Sequence, residues 1–457
     1  MPIASTNPAT GETWRTYEPL TGNQVDEALT RATEAYAKWR ATPINARRTH
    51  LLAAANLLEQ RVNDLAELAS QEMGKPVSAG RAEVLKCAKV CRFYADRAET
   101  FLADEPAQSD AVGARTALVR WQPLGPVLAV MPWNYPFWQA LRFAAPALMA
   151  GNTVLLKHAS NVPGCALAMQ AVFHDAGFPD GAFEVLLVEG RDVAPLIADH
   201  RVAAVTITGS EAAGRAVGAA AGQAIKKVVL ELGGSDPFIV MPSADINEAA
   251  RVGATSRFQN SGQSCISAKR FIIHRDCYKR FMSAFVAQAA ALVIGDPLQE
   301  QTQMGPLATP TASTELQDLV DDAVAHGADV LLGGKADGSA GWFYPPTVLA
   351  GVTPSMRIYR EEAFGPIAAV IEVDNLDEAI EVANATTFGL GANAWTQAVE
   401  EQDQFVDLID AGAVFINGMT TSYPELPFGG VKNSGHGREL AALGIREFCN
   451  IKTVWKA

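Results

Sequence analysis

Apolar residues recur at helical spacing over positions 24–39 and 46–72, where Leu51, Leu52, Ala55, Leu57 and Leu58 form one stripe, and a longer helical pattern runs over 78–104. From position 124 the texture changes. Short apolar runs (PVLAVM, TVLLK, FEVLLV, AAVTIT, KVVLEL) alternate with Ala-rich helical stretches, which is how buried parallel strands with crossover helices read. Positions 124–231 are therefore expected to form a doubly wound unit, the architecture that takes nucleotides at the carboxyl ends of its strands. A second series runs from PFIVM (237–241) through RFIIH, DVLLGG and IAAVIEV to AVFIN (413–417). It predicts a second domain of roughly 200 residues. The fold class is α/β with two doubly wound parallel-sheet domains, and the chemistry is expected where they face each other.

Composition narrows the classes. The chain has 457 residues, 49% hydrophobic and 19% charged, too apolar for a disordered protein and too long for one small core. Its 50 acidic residues against 37 lysines and arginines give a net charge of −13, which argues against nucleic acid or an anionic membrane as a general partner. A local basic pocket for a small anion remains compatible with that count. Six cysteines without C-x-x-C spacing read as reduced thiols of a cytoplasmic protein, and the N-terminus carries no export pattern. The longest apolar stretch, 136–156, is broken by Gln139, Arg142, Pro146, Gly151 and Asn152, so no membrane span is expected. Cys87 and Cys91 lie four apart on a helical pattern but lack a matching His or Cys pair, so packing is expected and no metal.

Several peptides could carry chemistry. Cys265 sits in a small polar turn, NSGQSCISAKR, unlike Cys277 and Cys449, which lie in apolar patterns; it is either a nucleophile or a loop thiol without function. Glu231 ends a strand before two glycines, either as a base with a raised pKa or as a carboxylate held by the amides of that turn. Gly209–Gly214 joins a strand to a helix N-terminus, an anion site in principle although not the G-x-G-x-x-G fingerprint. Lys157 ends TVLLK, as a ribose or phosphate ligand or an ordinary surface lysine. VMPWNYPFW crowds Trp133, Tyr135, Phe137 and Trp138 around Asn134, whose amide could donate to an oxyanion. Glu361 and Glu362 precede Phe364 in EEAFGP, by themselves no more than a helix start and a turn.

Taken in order, PWN, TVLLK, TGS, LELGG, GQSC, EEAFGP and PFGG strongly resemble the NAD(P)-dependent aldehyde dehydrogenase superfamily, from NPATGE at residue 7 to the closing FCNIKTVW. The resemblance implies a cofactor-binding domain over 1–104 and 124–231, a catalytic domain over 232–428, and a small β oligomerisation segment over 105–123 and 429–457 of a homodimer or homotetramer. It implies Cys265 as nucleophile, Asn134 with the Cys265 N–H as oxyanion hole, and Glu231 as the base that activates water. Glu362, Phe364 and Trp133 would hold the nicotinamide end of the cofactor, Gly209 and Ser210 its pyrophosphate, and Lys157 the adenosine ribose. Where many members read K-P-S-E, this chain has Lys157-His158-Ala159-Ser160. Ser160 in place of the carboxylate leaves a 2′-phosphate unrepelled, so NADP is expected over NAD.

Substrate class rests on finer matches. Arg142, Ser422, Trp138 and Phe428, with the closing stretch, look like bacterial succinate-semialdehyde dehydrogenases, which implies a small aldehyde with a distal carboxylate. A second arginine that some of those enzymes carry is Gln259 here, and a second cysteine is Ser267. Carboxylate binding is then expected to depend heavily on Arg142. The alternatives are another small aldehyde, such as glutarate semialdehyde, or a non-catalytic structural member of the family. A thiol hydrolase would need a histidine base, and none of the seven histidines lies in such a peptide.

Overall fold

The computed structural model describes residues 3–336, 338 and 340–457. An opening hairpin is followed by four helices, α1 (Gly22–Trp39), α2 (Ile44–Gln60), α3 (Val62–Met73) and α4 (Val77–Phe101). Thr21 and Gln24 cap α1 reciprocally, each side chain accepting the backbone N–H of the other. The 46–72 stretch breaks at Arg61, whose φ of −100° and ψ of 16° separate α2 from α3. Of the expected stripe, Leu51, Ala55 and Leu58 are fully buried together with Ala54, whereas Leu52 and Leu57 sit half-buried at its flanks. That spacing turns one face of α2 onto α4. The fifth long helix, α5 (Trp138–Ala150), is buried over its whole length.

The first sheet runs in the order Gly435–His436, Lys227–Glu231, Ala204–Thr208, Pro126–Met131, Thr153–His158, Phe183–Val185. All neighbours are parallel except the first pair. The second sheet has seven strands, Asp329–Leu332, Thr347–Ala350, Ile367–Val373, Ala268–His274, Asp236–Val240, Gly391–Trp395 and Ala413–Ile416. Its neighbours are parallel beyond the first pair. The apolar runs fill the middle of both sheets, where helices cover each face and no polar alternation is required. Only residues 232–235 separate the end of a first-sheet strand from the start of a second-sheet strand, so LGGS lies at the junction.

Two expectations change. DVLLGG forms an antiparallel edge strand with Val330 and Leu331 exposed, because an edge offers a neighbour on one side only. The 429–457 segment is divided: Gly435–His436 pairs with Leu230 and Glu231 in the first sheet, and only Cys449–Lys456 enters the separate three-stranded antiparallel sheet. There it pairs with Thr116–Pro123, which Glu105–Pro106 flanks. No helix among the described residues is long and apolar enough to cross a membrane.

Candidate active site

Cys265 follows a backbone turn of unusual hand. Asn260, Ser261 and Gly262 all have positive φ, 53°, 56° and 71°. A β-carbon on Gly262 would collide with the carbonyl of Gly365. Two non-glycine residues in this region cost of order 1–3 kcal/mol each, so their surroundings must hold them. Asn260 Nδ2 donates to the carbonyls of Asn134 (2.9 Å) and Gln263 (3.2 Å), and Ser261 Oγ donates to Gly305 O (2.8 Å). Buried Arg257 donates to Gly262 O (2.6 Å), Gly365 O (2.7 Å) and Ala268 O (3.0 Å), clamping this turn to the EEAFGP loop.

Lys269, absent from the sequence-based candidates, lies beneath the nucleophile. Its Nζ donates to the carbonyls of Ser264 (2.9 Å) and Cys265 (2.8 Å) and pairs with Glu362 at 3.1 Å, with the side chain 2% exposed. Glu362 also accepts from the Gly234 N–H at 3.2 Å. The two glycines of LELGG make this approach possible: a β-carbon on Gly234 would lie 2.7 Å from Cys265 O, and one on Gly233 would run into the Glu362 carboxylate. Lys269→Met should lower unfolding stability by about 3–5 kcal/mol, since it strands a carboxylate and two buried carbonyls. The check is the urea midpoint; a wild-type value would mean that the cation is dispensable.

Asn134 is buried and donates through Nδ2 to Gln263 O at 3.0 Å, which leaves its second amide hydrogen for a ligand. The PWN loop that carries it is pinned by His158, whose Nε2 donates to Pro136 O (2.8 Å) while Nδ1 accepts from the Ala159 N–H (2.9 Å). Burial draws that imidazole down to about 4, so it stays neutral in this role. Glu83 of α4 accepts the N–H groups of Phe137 (2.8 Å) and Trp138 (2.9 Å) and pairs with Lys75, capping α5.

Two cavities meet at Cys265. The first, about 730 Å³, is lined by Trp133, Asn134, Gly209, Ser210, Glu362 and Phe364 among others. Trp133 and Phe364 stand edge to face, 5.7 Å between ring centres. Ser210 caps the helix Glu211–Gln223, and the neighbouring Thr208 Oγ1 is buried without a partner. A helix N-terminus, an unsatisfied hydroxyl and the Glu362 carboxylate fit the phosphates and a ribose of a dinucleotide. Lys157 and Ser160 lie beyond this cavity, at and just after the end of the adjacent strand, where Lys157 pairs in register with Val130. The second cavity, about 900 Å³, takes in Trp138, Arg142, Gln259, Ser422 and Phe428. Among the described residues only Gln139 and Cys265 border both.

Arg142 is nearly fully buried; its guanidinium pairs with Glu439 and lies over the Phe428 ring, 4.5 Å from its centre. Its charge is thus already shared. Ser267 is buried and donates to Ser256 O at 2.5 Å, tying down the end of the preceding helix. Burial pushes the Cys265 thiol up to about 11, with Arg142 and Lys269 opposing. Glu231 is 2% exposed, and burial, followed by the nearby Glu439, holds its carboxyl well above the usual range. It lines neither cavity: its Oε1 lies against Gly429.

A pair of domains built on mostly parallel sheets, with a cysteine between two such cavities, defines a class, and residues 1–454 match the aldehyde dehydrogenase family: the chain belongs to it. Succinate-semialdehyde dehydrogenase (NADP+) 1 of Mycobacterium tuberculosis H37Rv is 58% identical over 457 residues, all of both chains. The succinate-semialdehyde dehydrogenase (NADP+) of Mycobacterium leprae is 56% identical, again over all of both chains. Among solved structures, the succinic semialdehyde dehydrogenase of Streptococcus pyogenes in complex with NADP+ superposes with a TM-score of 0.96 at 37% identity, covering 99% of each chain.

Proposed function

We propose that the protein oxidises succinate semialdehyde to succinate with NADP as the preferred acceptor. The observation that carries this is Cys265 at the meeting point of a dinucleotide-shaped cavity and a cavity with basic side chains, in a chain with relatives of that name. The Cys265 thiol gives up its proton to solvent and its sulfur attacks the aldehyde carbon to give a thiohemiacetal, whose oxyanion takes hydrogen bonds from the free Asn134 amide hydrogen and the Cys265 N–H. The nicotinamide, when bound, supplies the hydride acceptor. Carbon is thereby oxidised, and Cys265 retains the acyl group as a thioester. Glu231 takes a proton from the water that cleaves it, after its side chain has turned from Gly429 toward the sulfur.

The reading of NADP preference is supported by Lys157 and by Ser160 standing where a glutamate would repel a 2′-phosphate. Ser160→Glu should lower the ratio of kcat/KM for NADP over NAD by about tenfold or more. A wild-type enzyme that favours NAD would sink the cofactor reading. The substrate reading is tested by steady-state oxidation of succinate semialdehyde, glutarate semialdehyde and butanal, with Cys265→Ala as the blank. The highest kcat/KM should fall on succinate semialdehyde; a maximum on either of the others would replace it. The six cysteines, all unpaired, support a cytoplasmic setting. The strand Cys449–Lys456, with Ile451 and Trp455 largely exposed, supports a homodimer or homotetramer built through that sheet.

A further inference from the structure

Three cations line the cavity on the second side of Cys265: Lys75, Lys86 and Arg142. Two already have a counter-charge, Lys75 in Glu83 and Arg142 in Glu439. Lys86 has none among the described residues. Its Nζ donates to Ser422 Oγ at 2.8 Å and sits over the Trp138 ring, 4.1 Å from the centre, and both partners are neutral. A mostly buried ammonium without a counter-charge is costly. Burial first and Arg142 second draw it down to about 8. Ser422 adds direction. Its Oγ accepts from Lys86 and, at 3.1 Å, from Trp138 Nε1, which occupies both acceptor positions and leaves the O–H to donate onward. The spare ammonium hydrogens and this hydroxyl are therefore adjacent donors left free for an acceptor in the cavity.

We propose that Lys86 binds the distal carboxylate of the substrate and sets the preference for acid aldehydes, its ammonium forming the ion pair and the Ser422 hydroxyl the adjoining hydrogen bond. This rests on the substrate reading above. Gln259, where some enzymes of that specificity carry a second arginine, borders the same cavity. Lys86 supplies that missing positive charge from α4. Arg142 keeps its Nε on Glu439, and its Nη2, buried without a partner, adds positive potential and a further donor to the same wall.

The test compares wild type, Lys86→Met and Lys86→Arg on succinate semialdehyde and on butanal, an uncharged aldehyde with the same number of carbons, at saturating NADP. Lys86→Met should raise KM for succinate semialdehyde at least about tenfold more than KM for butanal, and Lys86→Arg should recover most of that difference. Equal effects on both aldehydes, in a wild type that does prefer the acid, would overturn the role of Lys86 alone. A wild type with no such preference would overturn the substrate reading and this proposal together. If Lys86→Met does not fold, the pH dependence of the wild type decides. The Lys86 ammonium faces Arg142 from α5, and Glu83, Cys87 and Lys89 of its own helix contribute to its field. The ratio of the two KM values should climb as pH passes through about 8 and the anchor loses its charge; a flat ratio through that range would reject the anchor.

Discussion

Cys265→Ala should lower kcat/KM for aldehyde oxidation by at least about 10⁴-fold, because no second nucleophile among the described residues borders both cavities, while NADP still quenches the fluorescence of Trp133 in its cavity. The chemistry is all-or-none at this position: without the sulfur no thiohemiacetal forms, and hydride has no tetrahedral carbon to leave. The state of the thiol gives a second readout. Burial holds it near 11, so in the enzyme without nucleotide the thiolate fraction should rise about tenfold per pH unit across the neutral range. Alkylation by iodoacetamide should follow that slope and level off near pH 11. A plateau below pH 8 would show a thiolate already formed at rest and would remove burial as the controlling influence.

Glu231→Gln should separate the two halves of the reaction. A rapid burst of about one NADPH per site should survive, since thiohemiacetal formation does not involve this residue, and the steady state should then fall by about 10²- to 10⁴-fold as thioester accumulates. Mass spectrometry of the quenched enzyme should find the acyl group on Cys265. Glutamine keeps the volume, and neither Glu231 oxygen has a hydrogen-bond partner in the resting structure, so folding should be little disturbed. A variant with an unaltered steady-state rate would remove Glu231 as the base. In that event Glu439, the neighbouring buried carboxyl whose pKa is also raised, would be the residue to change next.

Most of this arrangement is legible in the sequence for a physical reason. Parallel strands covered on both faces must be apolar throughout, so PVLAVM and RFIIH announce themselves, and turns that expose a reactive group need small residues, so GQSC and LELGG do too. What escaped was carried by residues whose meaning depends on distant partners. Gly435–His436 is a strand only because Glu231 lies beside it. Lys269 sits inside the apolar strand Ala268–His274 and reads as a surface lysine until Glu362 is brought to it. Lys86 lies on a long amphipathic helix where a lysine is ordinarily solvated. The faint signal was its face: Ala79, Ala82 and Lys86 follow one another at helical spacing and line the same cavity, so small neighbours make room around one long cation.

The return of the chain to the first sheet bears on how the protein is made. Gly435–His436 closes the edge beside Glu231, the Ser434 hydroxyl donates to Gly233 O at 2.7 Å, and Glu439 neutralises Arg142. All three come from residues far downstream, in chain order, of the strands they join. On the ribosome the first sheet, although its central strands emerge early, waits with an open edge and an arginine lacking its partner until residues 434–439 have been made. Catalytic competence therefore waits for residues 434–439, and a polypeptide that stops shortly after Phe428 carries Cys265 without the edge strand, the Ser434 hydroxyl and the Glu439 partner around its site.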